Sequence, residues 1–436
     1  MRILCVKPPE YGYMEWVGKS FNSSTYRIAS YLRKQGHTVE VCDLRPELLA
    51  DYRSDLKHDG SGYFCQGIHV TTNVGNRACG NWEAERRSRP MFRIGFSNNV
   101  LIEHLKAFKP DVVAISCMFT YTWEGARDVV MITREHSNAE IWLGGIYAQL
   151  CADHAMKNVR PDKINLDCDV FTPIDLSLFK TKPFALDILT RVGCPNSCGY
   201  CAVHLLEGHK IRHRDPMEVV EEIENAYNEG IKLIRFLDSN ILLGFEGHFK
   251  VILKEILRRR IKVELMIYGG VDQNFLTPEN WDLMYRAGMI EMNVPIESVS
   301  EKLLKQWGRK STTNEWLAKI REIKKLGYPI KSYMMAGCYN QTAEDIHETI
   351  DFLLAEGVKP DILFYTPIPG TREFKEQGRP LEDLHPLLYP LANSEMTVQD
   401  LEDIRHVYCR EVEGCMVTHP MRSEKPKVRE DCYALI

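Results

Sequence analysis

Three cysteines stand within eight residues near the middle of the chain, in the run Cys194-Pro-Asn-Ser-Cys198-Gly-Tyr-Cys201. Cysteine thiolates are the usual ligands of iron–sulfur clusters. Three of them can hold a four-iron cube and leave one iron open, as a catalytic zinc site keeps one position open. A four-ligand zinc site, with His204 as the fourth ligand, is the alternative for this spacing. The triplet therefore predicts a metal centre, and a 4Fe–4S cluster is favoured.

The spacing Cys-x3-Cys-x2-Cys, with an aromatic residue before the last cysteine, resembles the signature of the radical S-adenosylmethionine (SAM) superfamily. The aromatic residue here is Tyr200, and the loop follows a predicted strand. The resemblance implies that the open iron binds the amino and carboxylate groups of SAM and that Tyr200 borders the adenine. It also implies that the reduced cluster cleaves SAM to methionine and a 5′-deoxyadenosyl radical, with an electron donor such as flavodoxin or ferredoxin.

Later strand ends carry runs that are similar to those of the same family, in the same order. The runs are Leu237-Asp-Ser-Asn240, Pro295-Ile-Glu-Ser298, Met335-Ala-Gly337 and Pro367-Ile-Pro-Gly-Thr371. The second run departs from the family in having proline where glycine is usual. Catalytic groups of parallel barrels gather at the carboxyl ends of strands, so the order and position of the runs strengthen the resemblance. The residues that it assigns to SAM are Tyr200, Asp238, Asn240, Glu297, Ser298 and Gly337.

A second signal lies in the N-terminal half, where Ser116-Cys-Met118 ends one hydrophobic strand and Gly144-Gly145 ends the next. Glycines after a strand let a ligand approach the backbone at the carboxyl edge of an open sheet. The pairing is similar to the Ser-x-Leu…Gly-Gly half of the domains in cobalamin-binding radical SAM proteins. The resemblance implies cobalamin contacts from Ser116, Met118, Thr120, Tyr121, Gly144, Gly145, Ile146 and Tyr147.

The motif Asp-x-His-x-x-Gly, which supplies a lower axial histidine to cobalt, is absent. The family spacing leads to Val70, Thr72 and Gly75, and the nearby His69 does not fit the pattern. Radical SAM methyltransferases of this type often lack that histidine, so the resemblance still implies cobalamin but no particular axial ligand. The alternative is a Rossmann-like domain without a cofactor.

The elements that must position these residues form two α/β halves. In the first half, apolar runs predict strands at 3–7, 39–42, 111–117 and 140–143, and amphipathic patterns predict helices at 24–35, 100–108 and 125–136. This alternation indicates a doubly wound parallel sheet, and Ser24 is expected to cap the first helix. Residues 55–93 lack a clear period and are expected to form an irregular functional loop or insertion.

The second half alternates in the same way. Strands are predicted at 185–190, 233–237, 263–267, 289–295, 330–335 and 361–365, with helices at 216–229, 245–259 and 314–326 among those between them. Six βα units in a row indicate a partial parallel barrel. The expected fold class is therefore α/β, with a Rossmann-like cobalamin-binding domain (1–157), a linker (158–182), a partial (β/α)6 radical SAM barrel (183–380) and a helical C-terminal region (381–436).

The composition of the chain narrows the classes of function and the cellular location that are compatible with it. The 436 residues are 44% hydrophobic and 26% charged with a net charge of −5, which is typical of a globular protein and argues against nucleic-acid binding. No apolar run approaches the ~18 residues of a membrane span, and no secretory signal is visible, so a cytoplasmic location is expected. Fourteen cysteines suit metal binding or an anaerobic, reducing cell. The sequence does not decide whether metal is bound by Cys65, Cys79, Cys409, Cys415 or Cys432.

The two halves together predict methyl transfer to an unactivated carbon or to phosphorus. An sp3 carbon is neither nucleophilic nor acidic, so SAM cannot methylate it by displacement, whereas a radical path can. By resemblance, the 5′-deoxyadenosyl radical removes a hydrogen and the substrate radical takes methyl from methylcobalamin, with the substrate between the barrel mouth and the corrin. That substrate is a small molecule, a peptide or a protein, and we favour a peptidyl residue. Candidate catalytic residues near strand ends are Tyr268, Asp272, Tyr333, Tyr339 and Tyr365.

Three other functions are compatible with parts of the pattern. A cobalamin-containing radical SAM enzyme could catalyse a rearrangement or cyclisation without methylation. A methylthiotransferase-like enzyme is disfavoured, because that class usually has a second three-cysteine domain and an RNA-binding tail. A non-enzymatic iron–sulfur or corrinoid-binding protein is disfavoured by the intact cysteine triplet with Tyr200.

Overall fold

The computed structural model describes residues 1–12, 23–45, 57–58, 63–65, 68–69, 71–78, 88–165, 167–375, 380–391 and 395–411. The chain divides into two compact units. The first unit comprises residues 1–182, 368–370 and 375–390, and the second comprises 183–367, 371–374 and 391–436.

A parallel sheet forms the centre of the first unit. Its strands are β1 (Arg2–Lys7), β3 (Thr38–Asp43), β9 (Val112–Ser116), β10 (Glu140–Gly144) and β11 (Lys163–Ile164). They lie in the order β11–β10–β9–β1–β3, and every neighbouring pair is parallel. The chain moves from one side of β1 to the other between β3 and β9. In such doubly wound sheets the ligand crevice lies at this switch point, outside the carboxyl ends of the strands.

Helices cover the sheet and explain the apolar runs of its strands. The helices of this unit are α1 (Ser24–Lys34), α2 (Asn98–Phe108), α3 (Trp123–His136), α4 (Ile146–Leu150) and α5 (Ala152–Asn158). Four consecutive residues of β1, from Ile3 to Val6, are buried, as expected of a parallel strand that is covered on both faces. The cap of α1 is Ser23 rather than the expected Ser24.

Residues 55–93 were expected to be irregular, and this was wrong in part. They contain β4 (Lys57–His58), β5 (Tyr63–Cys65), β6 (Ile68–His69), β7 (Thr71–Ala78) and most of β8 (Ser88–Ile94). β7 and β8 form an antiparallel sheet with β2 (Glu10–Gly12), and β4 to β6 form another. Hydrophobic periodicity did not reveal β7, because its sequence is polar and the backbone pairing of strands does not require apolar side chains.

The segment expected to be a linker, residues 158–182, belongs to the first unit. Its strand β11 pairs with β10 through Trp142–Lys163 and Leu143–Ile164. Arg33 of α1 also forms a 2.7 Å ion pair with Asp175, so this segment is fixed at two places.

Six parallel strands run through the second unit. They are β12 (Ala185–Ile188), β15 (Leu233–Phe236), β16 (Glu264–Ile267), β17 (Met289–Glu291), β18 (Lys331–Ala336) and β19 (Lys359–Phe364). The first four form one sheet and the last two another, and parallel bridges Asn293–Lys331 and Glu297–Met334 join the chain after β17 to β18. A hairpin of β13 (Arg191–Val192) and β14 (Arg212–His213) follows the first strand. The α/β fold with parallel strands, expected from the sequence, is confirmed.

Helices alternate with these strands. They are α6 (Val203–Leu206), α7 (Pro216–Asn228), α8 (Phe249–Arg258), α9 (Pro278–Arg286), α10 (Glu301–Trp307), α11 (Thr313–Lys324) and α12 (Ala343–Ala355). In α8 the buried residues Phe249, Ile252, Leu253, Ile256 and Leu257 recur at the spacing of one helical face. Apolar faces of this kind press the helices onto the sheet and hold the strand ends in place.

The described C-terminal residues are helical, as expected. Short 3-10 turns span Leu381–Leu384 and Pro386–Leu388, and α13 spans Val398–Glu411. Residues 412–436 lie outside the described part of the chain, as do Cys79, Cys415 and Cys432. Among the described helices, none is both long and apolar enough to cross a membrane.

Candidate active site

The cysteine triplet lies on the loop between the β13–β14 hairpin strands, at the carboxyl end of β12. All three thiols are free and partly buried. The backbone N–H of Cys194 donates to the carbonyl of Gly208 at 3.1 Å, and that of Cys201 donates to the carbonyl of Cys198 at 3.1 Å. The loop is therefore closed on itself and bonded to the returning chain.

Two glycines let neighbouring chain segments approach this loop closely. Gly193 has φ +96°, and a Cβ there would collide with the carbonyl oxygen of Lys210. Gly199 donates to the carbonyl of Trp307 at 2.7 Å and accepts from the N–H of Glu373 at 2.9 Å. These bonds fix the loop on its second side.

The thiols influence one another. Burial, together with smaller contributions from the neighbouring Cys198 and Cys194, raises the pKa of Cys201 to about 11. Burial also raises the pKa of Cys194. No group of three or more His, Cys, Asp or Glu side chains in the described residues is arranged around a single metal ion. A 4Fe–4S cube places each thiolate on a different iron, and coordination deprotonates a thiol, so this donor set fits a cluster.

Histidines lie beside the loop. The rings of His204 and His209 stack with centroids 5.5 Å apart, and Nδ1 of His209 lies 3.2 Å from the carbonyl oxygen of Cys194. Nδ1 of His204, which the sequence offered as a zinc ligand, is buried without a hydrogen-bond partner among the described residues.

Tyr200 links the loop to the end of the fourth barrel strand. Its hydroxyl donates to Oε1 of Glu297 at 2.9 Å, and Arg309 lies 3.9 Å from the same oxygen. Burial raises the pKa of the Glu297 carboxyl, while Arg309 and the Tyr200 bond lower it. Glu297 has φ +65°, a conformation that costs free energy for any residue except glycine and is typical of functional sites. The sequence had assigned both Tyr200 and Glu297 to SAM but had not predicted their direct bond or the role of Arg309.

Asp238 and Asn240 lie at the end of β15. The Asp238 carboxylate accepts 3.2 Å bonds from the backbone N–H of Thr190 and a 2.7 Å bond from its hydroxyl. Burial raises the pKa of Asp238 to about 6, although the hydrogen bonds from Thr190 lower this pKa. Asn240 donates to Asp272 at 3.1 Å, but its buried Oδ1 has no partner among the described residues. An orphaned buried acceptor at a strand end fits a ligand with N–H or O–H groups, such as SAM.

The other residues assigned to SAM are also placed at strand ends. Ser298 is buried, and its Oγ accepts a 3.1 Å bond from the N–H of Ser300. Gly337 follows β18 with φ +80°, and a Cβ there would lie 3.6 Å from Leu401. Ser298 thus supports the turn after Glu297, and Gly337 permits the turn out of β18.

The candidate catalytic residues fall into separate groups. Tyr339 and Tyr365 belong to a cluster with Trp307, Cys338 and Tyr200. The Tyr333 hydroxyl donates to the carbonyl of Tyr268 at 3.2 Å. Asp272 accepts from Asn240 and from the N–H of Asn274. The structure therefore brings Tyr339 and Tyr365 to the cysteine loop and places Asp272 beside Asn240.

In the first unit, the predicted strand-end residues meet at the carboxyl edge of the sheet. Ser116 pairs with Gly144, and the hydroxyls of Ser116 and Ser24 lie 2.8 Å apart across the switch point. Gly145 has φ +95°, and a Cβ there would collide with the Cys117 backbone. A Cβ on Gly144 would meet nothing within 4 Å, which leaves room for a ligand at this edge.

The remaining predicted cobalamin contacts differ in their exposure. Met118 and Ile146 are half-buried, whereas Thr120 and Tyr121 are buried. Tyr147 is fully buried, and its hydroxyl lies 2.7 Å from Nδ1 of His154. Tyr147 thus bonds within its own unit. The side chain of His69 lies outside the described residues.

The comparison with protein families agrees with the geometry of the second unit. Residues 188–353 match the model of the Radical SAM superfamily. The chain carries a radical SAM domain. Because this domain spans β12 to α12, it contains the cysteine loop and the ends of β15 and β17.

Curated relatives match parts of the chain. The ribosomal protein uS12 methylthiotransferase RimO of Petrotoga mobilis is 28% identical over 167 residues, which is 37% of this chain and 38% of the relative. The bacteriochlorophyllide d C-12(1)-methyltransferase of Chlorobaculum tepidum is 28% identical over 218 residues, which is 47% of this chain and 46% of the relative. The matched region thus spans less than half of either relative.

A solved structure covers more of the chain. The radical SAM methyltransferase TsrM from Kitasatospora setae, with cobalamin and a 4Fe–4S cluster bound, covers 85% of this chain and 76% of its own, with a TM-score of 0.62 and 16% identity. At this identity the similarity shows a shared fold. The Rossmann-like unit and the barrel are thus confirmed as a known combination of folds.

Proposed function

We propose that this chain is a cobalamin-dependent radical SAM methyltransferase that transfers a methyl group to an unactivated carbon. One observation carries the proposal: the same chain has a three-thiol loop at a barrel strand end and a doubly wound unit with unfilled space at Gly144. The similarity to a methyltransferase and the shared fold with a cobalamin-binding radical SAM methyltransferase support it.

Each implied cofactor has residues that would hold it. Cys194, Cys198 and Cys201 would bind three irons of a 4Fe–4S cluster, because they are free thiols on one short loop. When bound, the cluster and SAM would supply hydrogen abstraction, and cobalamin would supply the methyl group. The protein's part is to bind, orient and exclude water.

Orientation of SAM would come from groups at the ends of the barrel strands. Asn240 offers its unpartnered Oδ1 to a donor on the ligand. Glu297 holds Tyr200 through a 2.9 Å bond, so the ring before Cys201 is fixed beside the cluster ligands. Arg309 balances the buried Glu297 carboxylate, which would otherwise be costly to keep charged.

The first unit would bind cobalamin at the carboxyl edge of its sheet. Gly144 supplies the space, and Gly145 lets the chain turn sharply against Cys117. The Ser116 hydroxyl, already 2.8 Å from that of Ser24, is available at the same edge as a polar contact. For substrate contact we propose Tyr339 and Tyr365, because they cluster with Tyr200.

Anaerobic reconstitution tests the proposal. The protein would be loaded with iron, sulfide and hydroxocobalamin, desalted, and analysed for metals. About four irons and about one cobalt per chain are expected, from one cube and one corrinoid. With titanium(III) citrate as the reductant of both the cluster and the corrinoid, SAM carrying a deuterated methyl group should then yield 5′-deoxyadenosine and labelled methylcobalamin.

Other results would overturn parts of the proposal. Four irons without cobalt would remove the methylcobalamin mechanism and keep the radical SAM assignment. Both metals with SAM cleavage but no labelled methylcobalamin would favour a rearrangement or cyclisation enzyme. About eight irons would favour a methylthiotransferase, the class of the relative from Petrotoga mobilis.

A further inference from the structure

One glycine beside the cysteine loop has both of its backbone groups bound by charged side chains. The carbonyl of Gly193 accepts a 2.7 Å bond from the guanidinium of Arg191. The N–H of Gly193 donates a 2.8 Å bond to Oε2 of Glu207. Because Cys194 is the next residue, these two side chains fix the chain immediately before the first cysteine of the triplet.

The same two side chains also bind the end of β15. The guanidinium of Arg191 donates to the carbonyl of Asn240, whose buried Oδ1 has no partner among the described residues. Oε1 of Glu207 accepts a 2.7 Å bond from the hydroxyl of Ser239. We call Arg191 and Glu207 the Gly193 bracket. Each of them joins Gly193 to the strand end at which SAM would bind.

Arg191 is a buried cation without an ion pair. It is 1% exposed, and within the described part of the chain it forms no ion pair with a carboxylate and its Nε has no hydrogen-bond partner. Burial lowers the pKa of Arg191, and the attraction of Asp238 raises it. An uncharged donor would bind two carbonyls at a lower cost in desolvation. Hydrogen bonding alone therefore does not explain why a charge is buried here.

Both charges of the bracket act on the first cysteine. Burial, the largest effect, raises the pKa of the Cys194 thiol, whereas Arg191 lowers this pKa and Glu207 raises it. The buried charges that act on the other two cysteines, Glu297 and Arg309, lie 3.9 Å apart and offset each other. The bracket thus places two opposite charges beside Cys194, and their effects there oppose each other.

We propose that Arg191 and Glu207 are positioning residues that hold the cysteine loop in register with the end of β15 and tune the reduction potential of the cluster. The inference rests on the proposed function, because it concerns the cluster that Cys194 would help to hold. A nearby cation stabilises the reduced cluster, which has one more negative charge, and a nearby anion destabilises it. The hydrogen bonds of the bracket should therefore act together on SAM binding, whereas its two charges should act oppositely on the reduction potential.

Three variants of the reconstituted holoenzyme separate charge from hydrogen bonding. Glu207→Gln removes the charge and keeps both bonds, because its amide oxygen can accept from Gly193 and its NH2 group can donate to the Ser239 hydroxyl. Arg191→Lys keeps the charge but replaces the rigid fork by a single ammonium group. Arg191→Met removes both the charge and the bonds. Arg212→Met, at an exposed position of the neighbouring β14, is the control for loss of a charge at the surface.

Two measurements are made on every variant after its iron and sulfide contents have been determined. The reduction potential of the cluster is measured by electron paramagnetic resonance during a redox titration without SAM. The affinity for SAM is measured by equilibrium dialysis of the oxidised holoenzyme. Neither measurement depends on turnover of a substrate.

We expect the potential to rise in Glu207→Gln and to fall in Arg191→Met. Each change should alter the ratio of reduced to oxidised cluster about tenfold at a fixed potential, which is about 59 mV for one electron. In Arg191→Lys and Arg212→Met this ratio should stay within about threefold of wild type, because the buried charge is kept or the lost charge is screened by solvent. The affinity for SAM should fall about tenfold in Arg191→Met, about threefold in Arg191→Lys and less than about twofold in the other two variants.

The two parts of the proposal fail separately. Shifts of the potential in the same direction in Glu207→Gln and Arg191→Met, or no shift in either, overturn the role of the charges. Wild-type affinity for SAM in both Arg191 variants overturns the positioning role. If Arg191→Met does not fold, the potential of Glu207→Gln and the SAM affinity of Arg191→Lys decide the two parts in the same way. A wild-type protein without a cluster or without SAM cleavage overturns the proposed function instead.

Discussion

The candidate sites of the two units are formed in opposite ways. In the second unit, functional groups define the site: three thiols lie on one loop, and the Tyr200 hydroxyl bonds to Glu297. In the first unit, the lack of side chains at two glycines defines the site: Gly144 borders open space, and Gly145 lies against the Cys117 backbone. One site consists of side chains and the other of room for a ligand.

This difference gives the two sites opposite sensitivities to mutation. A site made of functional groups fails when atoms are removed, because nothing nearby replaces the lost ligand or bond. A site made of space fails when atoms are added. The following substitutions test the contrast, beginning with the largest expected effect.

Removal of one thiol should abolish the function of the second unit. In Cys198→Ala the cube would keep two thiolates, so we expect complete loss of the cluster and of SAM cleavage, with corrinoid binding unchanged. Iron and sulfide analysis and chromatography of 5′-deoxyadenosine measure this. Cys168→Ala, which removes a partly buried thiol of the first unit, is the control and should retain iron. A Cys198→Ala protein with normal iron would refute the cluster assignment.

Addition of one methyl group at Gly145 should destabilise the first unit. Gly145→Ala combines φ +95° with a collision against the Cys117 backbone, so we expect a loss of about 3 kcal/mol in the free energy of unfolding. Gly144→Ala, where a Cβ meets nothing within 4 Å, should cost less than about 1 kcal/mol. Chemical denaturation of both variants is the measurement. Equal stabilities would show that the Cys117 backbone can move aside.

A larger side chain at Gly144 should weaken cofactor binding without affecting the cluster. The leucine of Gly144→Leu would occupy the space at the sheet edge, so we expect corrinoid affinity to fall about 10- to 100-fold. Gly247→Leu adds the same side chain to open space in the second unit and should change neither cofactor. Loss of iron together with cobalt in Gly144→Leu would indicate misfolding and not a blocked site.

Removal of one hydroxyl should have the smallest effect. Tyr200→Phe deletes the bond to Glu297 but keeps the ring, so we expect SAM affinity to fall about fivefold, or about 1 kcal/mol, at unchanged iron content. Tyr328→Phe deletes a comparable 3.2 Å bond to Asp282 and is the control. If the two variants bind SAM equally well, the Tyr200–Glu297 bond does not orient the ligand.

The same contrast explains what the sequence could predict. A short motif of reactive residues is local, so the cysteine loop and the strands around it were predictable from spacing and periodicity. Partners that are distant in sequence were not: neither the bond of Gly193 to Glu207 nor the pairing of Glu297 with Arg309 has a sequence signature. The fourth barrel strand was expected to reach Pro295 but ends at Glu291, and the chain beyond it is joined to β18 by the isolated bridges of Asn293 and Glu297.

A glycine pair is a weaker signal than a cysteine triplet. Gly144 and Gly145 were predicted to serve one purpose, yet only Gly145 is required by the backbone, and Gly144 provides space. The sequence could not separate these roles, because both depend on what lies next to each residue in the folded unit. The resemblance implied a cobalamin contact from Tyr147, and the sequence did not indicate that this side chain is fully buried with its hydroxyl beside His154.

The first unit is completed by residues that are synthesised late. Trp123 bonds to Glu382 at 3.0 Å, Tyr121 packs against His385, and Leu381 packs on the core of that unit. The chain leaves the unit at residue 182 and supplies these partners only after β19 of the barrel. Domains usually fold in order of synthesis, starting at the N terminus. Here residues 375–390 of the first unit leave the ribosome only after all six barrel strands have been made, and the residues from 391 onward then complete the second unit, so we expect both units to reach their final fold only at the end of synthesis.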